Sequence, residues 1–128
     1  MFTCKDLFGL DASSLFNVLT SYSIPPQYHK MIVAPGGMRS FFERMIRSET
    51  ENARKGLPSG ITVKVNSLVD PEIIRLLYEA SQAGVEIKLI VRGICCLIPG
   101  LPGVSENITV YSIVGHILKQ SRIFKFVN

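Results

Sequence analysis

Tryptophan is absent from the 128 residues, histidine occurs twice and cysteine three times. The aromatic residues present do not alternate with basic ones, so the stacking platform that single-stranded nucleic acid needs is missing. Nucleic acid is therefore not expected as a partner. Cys4, Cys95 and Cys96 are an odd set in which neighbours cannot readily bridge and no pair has zinc-ligand spacing, which reads as reduced, partly buried thiols of a cytosolic protein. The start, Met1-Phe2-Thr3-Cys4-Lys5-Asp6, lacks a basic segment followed by an apolar one, so no signal peptide is expected. Long apolar runs are lacking too. The uncharged stretch Gly93 to Ser105 has 13 residues and holds Pro99 and Pro102, whereas a membrane span takes roughly 20 apolar residues. Asp70, Glu72, Glu79 and Glu86 fall at no paired spacing, so nothing points to an acid/base dyad or a metal site built wholly from this chain. No Gly-Lys-Ser/Thr follows a glycine loop, and no dinucleotide Gly-x-Gly-x-x-Gly occurs.

What is present is a globular composition, 47 % hydrophobic and 19 % charged, with a net charge of +4 that favours an anionic partner. Leu15, Phe16, Leu19 and Tyr22 fall at helical spacing behind Asp11-Ala12-Ser13-Ser14, which offers capping groups, and Ile24-Pro25-Pro26 ends that helix. Lys30 to Ala34 reads as a short buried strand, and Pro35-Gly36-Gly37 turns into a helix over about Met38 to Lys55. Its Phe41, Phe42, Met45 and Ile46 share one face, Arg39, Arg44, Arg47 and Arg54 lie mostly on the other, and Gly56 and Pro58 stop it. Ile61 to Asn66 is a β-branched strand. Asp70-Pro71 caps a helix with Ile73, Ile74, Leu76, Leu77 and Ala80 inward, and Val85 to Arg92 is the next strand. Ile108 to Ser112 and Ser121 to Phe126 read as two more. The alternation predicts an α/β fold, a parallel or mixed sheet with flanking helices. The stop at Asn128, straight after a strand, suggests an incomplete fragment.

Arg92 closes its strand and opens the uncharged loop Gly93 to Gly100. Ligands of α/β sheets gather at the carboxyl ends of strands, and a guanidinium there presents a planar fork suited to phosphate oxygens. Lys64 and Asn66 alternate along the preceding strand, so they share a face at the same edge. Pro35-Gly36-Gly37 before a helix could hold an anion on free amides, although a plain strand-to-helix turn is the simpler reading. His29 sits in a polar connector with no carboxylate at motif distance to orient it, and reads as a surface histidine.

Four stretches carry a family resemblance. They are Asn66-Ser67-Leu68-Val69-Asp70-Pro71-Glu72-Ile73-Ile74, Tyr78-Glu79-Ala80-Ser81-Gln82-Ala83-Gly84-Val85, Leu89-Ile90-Val91-Arg92-Gly93-Ile94-Cys95-Cys96-Leu97 and Pro102-Gly103-Val104-Ser105-Glu106-Asn107-Ile108. Together they resemble the carboxyl-terminal half of bacterial polyphosphate kinase. The resemblance implies an enzyme that transfers the terminal phosphate of ATP reversibly to polyphosphate, with Mg2+ and a phosphohistidine, using two phospholipase D-like domains that meet over a tunnel. It implies that residues 1–57 are the tail of the first such domain and 58–128 the start of the second. In similar proteins the phosphohistidine, the magnesium-binding arginines and a nucleotide-contacting tyrosine lie upstream of the stretch that begins at Met1. Arg92 matches an ATP-contacting arginine, with Lys64, Asn66 and Arg122 as further phosphate-contact candidates. Gln120 stands where the family has a catalytic-site histidine, and His116, where similar kinases tend to have arginine, lies four residues away. The family's His-x-Arg is similar to the His-x-Lys of phospholipase D and here reads Gln120-Ser121-Arg122. Similar kinases also carry a larger residue and an Asn near Gly36-Gly37. ATP and polyphosphate are the implied partners, homo-oligomers the implied full-length assembly, and the cytoplasm, or its inner-membrane periphery, the implied location. On this reading the isolated chain is inactive. A non-catalytic anion-binding remnant is the alternative, and a phospholipase D-type phosphodiesterase is disfavoured because no His-x-Lys followed by Asp occurs.

Overall fold

The computed structural model describes residues 4–21, 27–35, 37–113 and 121–127. Its element order is α1 (Asp6–Ser21), α2 (Met38–Arg54), β1 (Gly60–Val65), α3 (Pro71–Gln82), β2 (Glu86–Val91), β3 (Ile108–Ser112) and β4 (Ile123–Phe126). Contacts divide the chain into two compact units between Phe41 and Phe42.

The larger unit is built on a four-stranded sheet in the order β3-β2-β1-β4. β1, β2 and β3 run parallel, with Val65 opposite Val91 and Val91 opposite Ser112, and β4 returns antiparallel, with Lys64 opposite Ile123. The sheet is thus mixed. Alternation of side chains places Ile61, Ile87, Leu89, Val91 and Ile108 on one face, where they join Leu76, Leu77 and Ala80 of α3 and Ile46 of α2 in the core. Each fully buried Ile or Leu contributes roughly 1.5–3 kcal/mol from apolar surface removed from water.

Helix α3 starts as its sequence dictates. The Asp70 carboxylate accepts from the amides of Glu72 and Ile73, and Pro71 takes the first position, where no amide is needed. Helix α2 ends at Arg54, followed by Gly56 at φ +70°, the left-handed region that glycine enters without strain. Glu49, fully buried, accepts from the amide of Gly60 and ties α2 to the first residue of β1.

The smaller unit corrects two expectations. Lys30 to Ala34 is not a strand, because the amides of Lys30 and Met31 donate to the Asp11 carboxylate instead of to a neighbouring strand. Helix α1 begins at Asp6 rather than behind Asp11, which is buried within the helix. Phe16 and Leu19 of its apolar stripe are exposed. Tyr22 and the Ile24-Pro25-Pro26 stop lie outside the described residues. No described helix is long and apolar enough to cross a membrane.

Candidate functional site

The carboxyl ends of β1 and β2 continue into two loops that stay zipped together. Arg92 N donates to Val65 O at 3.3 Å, Gly93 N to Asn66 O at 2.7 Å, Leu68 N to Ile94 O at 2.8 Å and Cys96 N to Leu68 O at 2.9 Å. The approach is so close that a side chain on Gly93 would meet Asn66 O at 2.9 Å and Ser67 Oγ at 3.1 Å. These bonds set Arg92 beside Asn66, just past the last paired residues, Val65 and Val91.

Arg92 is half-buried, and its Nη1 is buried with no hydrogen-bond partner among the described residues. A buried guanidinium nitrogen without an acceptor is costly in a folded chain.

β4 brings more positive charge to the same rim. Because it runs antiparallel to β1, its first residue, Ile123, lies beside Lys64, and Ser121 and Arg122 arrive just above. Lys64 Nζ donates to Ser121 Oγ at 3.2 Å, which holds the half-buried ammonium near the rim while leaving protons for a further acceptor. Arg122 is exposed. Arg92, Lys64, Asn66 and Arg122 therefore gather at one edge of the sheet, as their sequence positions suggest. Gln120 and His116 lie outside the described residues.

The other signals resolve differently. Gly36 is outside the described residues, and the amide of Gly37 already donates to Val33 O at 3.1 Å, so it is not a free anion donor. Cys4 and Cys96 are exposed and Cys95 half-buried, all three as free thiols. Below the sheet, α2 and α3 frame an apolar cleft of about 250 Å³ beside Phe42, Val63, Phe124 and Phe126, whose lining suits hydrocarbon and not phosphate. Glu72 and Glu79 both pair with Arg75 along the exposed side of α3, which holds that guanidinium above its ordinary pKa through the Glu72 hydrogen bond.

His29 does have an orienting carboxylate, contrary to the expectation from spacing. Asp11 Oδ1 lies 3.0 Å from His29 Nδ1, and the amides of His29, Lys30 and Met31 also donate to this carboxylate. Burial pushes the Asp11 carboxyl up, but three amides and the imidazole outweigh it and hold the group well below the usual carboxylate range. The partners are 18 to 20 residues apart, a separation that no local motif encodes.

The family profile described as "Polyphosphate kinase C-terminal domain 2" matches residues 31–128. The chain is 52% identical over 128 residues to a polyphosphate kinase of Thermosynechococcus vestitus, and 49% identical over 128 residues to one of Lactiplantibacillus plantarum. Each match takes in 100% of this chain and 18% of the relative, so the chain spans less than a fifth of the length of these curated relatives. Among solved structures, the crystal structure of polyphosphate kinase from Porphyromonas gingivalis is similar with a TM-score of 0.87 at 40% identity, over 97% of this chain and 20% of that one.

Proposed function

Since the chain belongs to the polyphosphate kinase family, we propose that it is part of an enzyme moving the terminal phosphate of ATP reversibly onto polyphosphate through a phosphohistidine. Within that enzyme the rim formed by Arg92, Lys64, Asn66 and Arg122 grips the phosphate chain of ATP, and Gln120 adds a neutral hydrogen-bonding group. The buried, unpartnered Nη1 of Arg92 carries this reading. An anionic phosphate oxygen is the acceptor that a guanidinium fork at a strand end matches best. On the same reading, residues 1–57 and 58–128 belong to successive phospholipase D-like domains. The whole enzyme assembles as a homo-oligomer.

Mg2+ does not fit the residues in hand. Among the described residues no group of three or more His, Cys, Asp or Glu could hold a metal ion, so no step is assigned to it. What this chain's residues do is bind and orient: Arg92 and Lys64 neutralise phosphate charge, and the zipped loops fix Arg92 in place. Glutamine has no titratable group, so Gln120 can hold an oxygen but neither take nor give a proton. That favours a binding segment that is inactive by itself.

Titration calorimetry of the chain with ATP and tripolyphosphate tests the reading. Removing a charge-assisted contact costs about 1.5–3 kcal/mol, so Arg92→Ala weakens binding by roughly ten-fold or more. Arg47→Ala, on the exposed side of α2, leaves it nearly unchanged. Equal losses from the two would reduce the site to diffuse electrostatics.

A further inference from the structure

The loop that follows Arg92 carries two adjacent thiols that the rim does not use. Leu68 and Cys95 form a parallel bridge, in which Leu68 N donates to Ile94 O at 2.8 Å and Cys96 N to Leu68 O at 2.9 Å. Side chains alternate along a bridged segment, so neighbours face opposite ways. Cys95 turns inward: it is half-buried, packs against the hydrophobic core, and its Sγ donates to Leu97 O at 3.6 Å. Cys96 is exposed.

Beyond Leu97 the loop is fastened separately. Ile98 N donates to Tyr78 Oη at 2.9 Å. The buried Ser105 hydroxyl accepts from Leu101 N at 2.9 Å and donates to Ile98 O at 2.8 Å. A rearrangement at Cys95-Cys96 is therefore blocked on the Ile98 side. It has room only on the other side, where Gly93 N on Asn66 O and Arg92 N on Val65 O continue the zip.

We propose that Cys95 and Cys96 are a thiol–disulfide exchange site for low-molecular-weight disulfides, and that its oxidation unzips the loop behind Arg92. The exposed Cys96 thiolate attacks one sulfur of the small disulfide, whose S–S bond breaks to release a thiolate and leave a mixed disulfide on Cys96. The Cys95 thiolate then attacks the Cys96 sulfur and displaces the second small thiolate. Two electrons pass from the cysteine pair to the small disulfide, and the two cysteine protons end on the two small thiols released. A disulfide needs its Cβ atoms about 3.5–4.5 Å apart, so neighbours facing opposite ways do not close while the bridge to Leu68 stands. Ring closure gives up the two backbone bonds of that bridge and the Cys95 contact to Leu97 O. The reduced pair keeps the zip and the oxidised pair opens it. Any effect on phosphate binding rests on the reading of the rim given above, whereas the exchange chemistry and the unzipping do not.

The test uses the chain with the other exposed thiol removed, Cys4→Ser, treated with oxidised glutathione. Peptide mass spectrometry should find a reducible disulfide between Cys95 and Cys96 of one chain. Adding Cys95→Ser should stop the reaction at a glutathione adduct on Cys96, and adding Cys96→Ser instead should prevent adduct formation. Amide exchange at Leu68 and Cys96 should quicken roughly ten-fold or more in the oxidised chain, as for a lost hydrogen bond, and return with dithiothreitol. Exchange at Leu101 should stay as it was. Oxidation should also lower the affinity for tripolyphosphate in calorimetry. The proposal is overturned if the disulfide joins two copies, or if Cys96→Ser takes up glutathione as readily as Cys95→Ser. It is overturned equally if the pair closes with exchange at Leu68 and Cys96 unmoved, or if both redox forms bind tripolyphosphate with the same measurable affinity. Failure of the rim reading shows separately, as no tripolyphosphate binding by either form.

Discussion

The position of Arg92 at a strand end was legible because the signal is local: a strand-like run ends on it and a glycine follows. Asp11 was not. Its four donors come from a connector that the sequence shows only as polar, and a carboxylate inside a helix looks like a solvated one until the chain folds back. The consequence is an acid-sensitive joint in the smaller unit. The folded Asp11 titrates well below its unfolded value of about 3.9. Above that pH both states are ionised and the whole contribution is present. As pH falls below it, the unfolded chain binds a proton that the folded chain refuses, and the contribution drains away. Amide-exchange protection at Lys30 and Met31 should therefore fall on acidification below about pH 4. In Asp11→Asn it should be low already at neutral pH and nearly flat across the range. The same acid profile in both proteins would detach the effect from Asp11.

At the scale of elements, punctuation was the readable part. Asp70-Pro71 and Gly56 mark helix ends by backbone chemistry that tertiary packing does not alter, and the β-branched runs gave β1, β2 and β3 to within a residue or two. The failure at Lys30 to Ala34 has the opposite cause, since a strand exists only if a ladder partner is available and a side chain took its donors. The zipped loops beyond β1 and β2 were invisible for a related reason: backbone pairing between loops leaves little trace in composition. Gly93 was the only clue. Gly93→Ala would put a methyl carbon 2.9 Å from Asn66 O and force the loops apart, at a cost of about 1–3 kcal/mol. The melting temperature should drop by several degrees, and ATP binding should weaken along with it. Gly9→Ala, where the added carbon meets nothing within 4 Å in helix α1, should leave ATP binding unaltered and stabilise slightly. If Gly93→Ala melts like the parent chain, the loops are not the clamp described.

For the molecule as a whole, the mixed sheet was anticipated, and the family follows from residues 31–128. A phosphoryl transfer needs a nucleophile, charge neutralisation and a positioned nucleotide together. This chain spans 18% of the curated relatives' length, and on the proposed reading it offers only part of the second and third. Incubated with γ-labelled ATP and magnesium, it should yield neither labelled protein nor polyphosphate, and Gln120→His alone should not change that. Acid-labile label on His29 or His116, above a heat-denatured control, would contradict the prediction.

The unsatisfied nitrogen of Arg92 also sets fold and function against each other. To a chain that only had to fold, a half-sunk cation whose Nη1 has no acceptor among the described residues is a flaw, and the rest of the core carries it. A buried donor left unmade costs about 1–3 kcal/mol. Arg92→Met keeps the length of the side chain and removes the flaw, so the variant should melt higher than the parent when no phosphate is present. Adding ATP or tripolyphosphate should raise the melting temperature of the parent and leave the variant where it was. The two curves should then converge or cross as ligand increases. A methionine variant that melts lower than the parent in ligand-free buffer would mean that the guanidinium already serves the fold. Convergence would show frustration at this rim in the free chain that phosphate binding relieves, as proposed above.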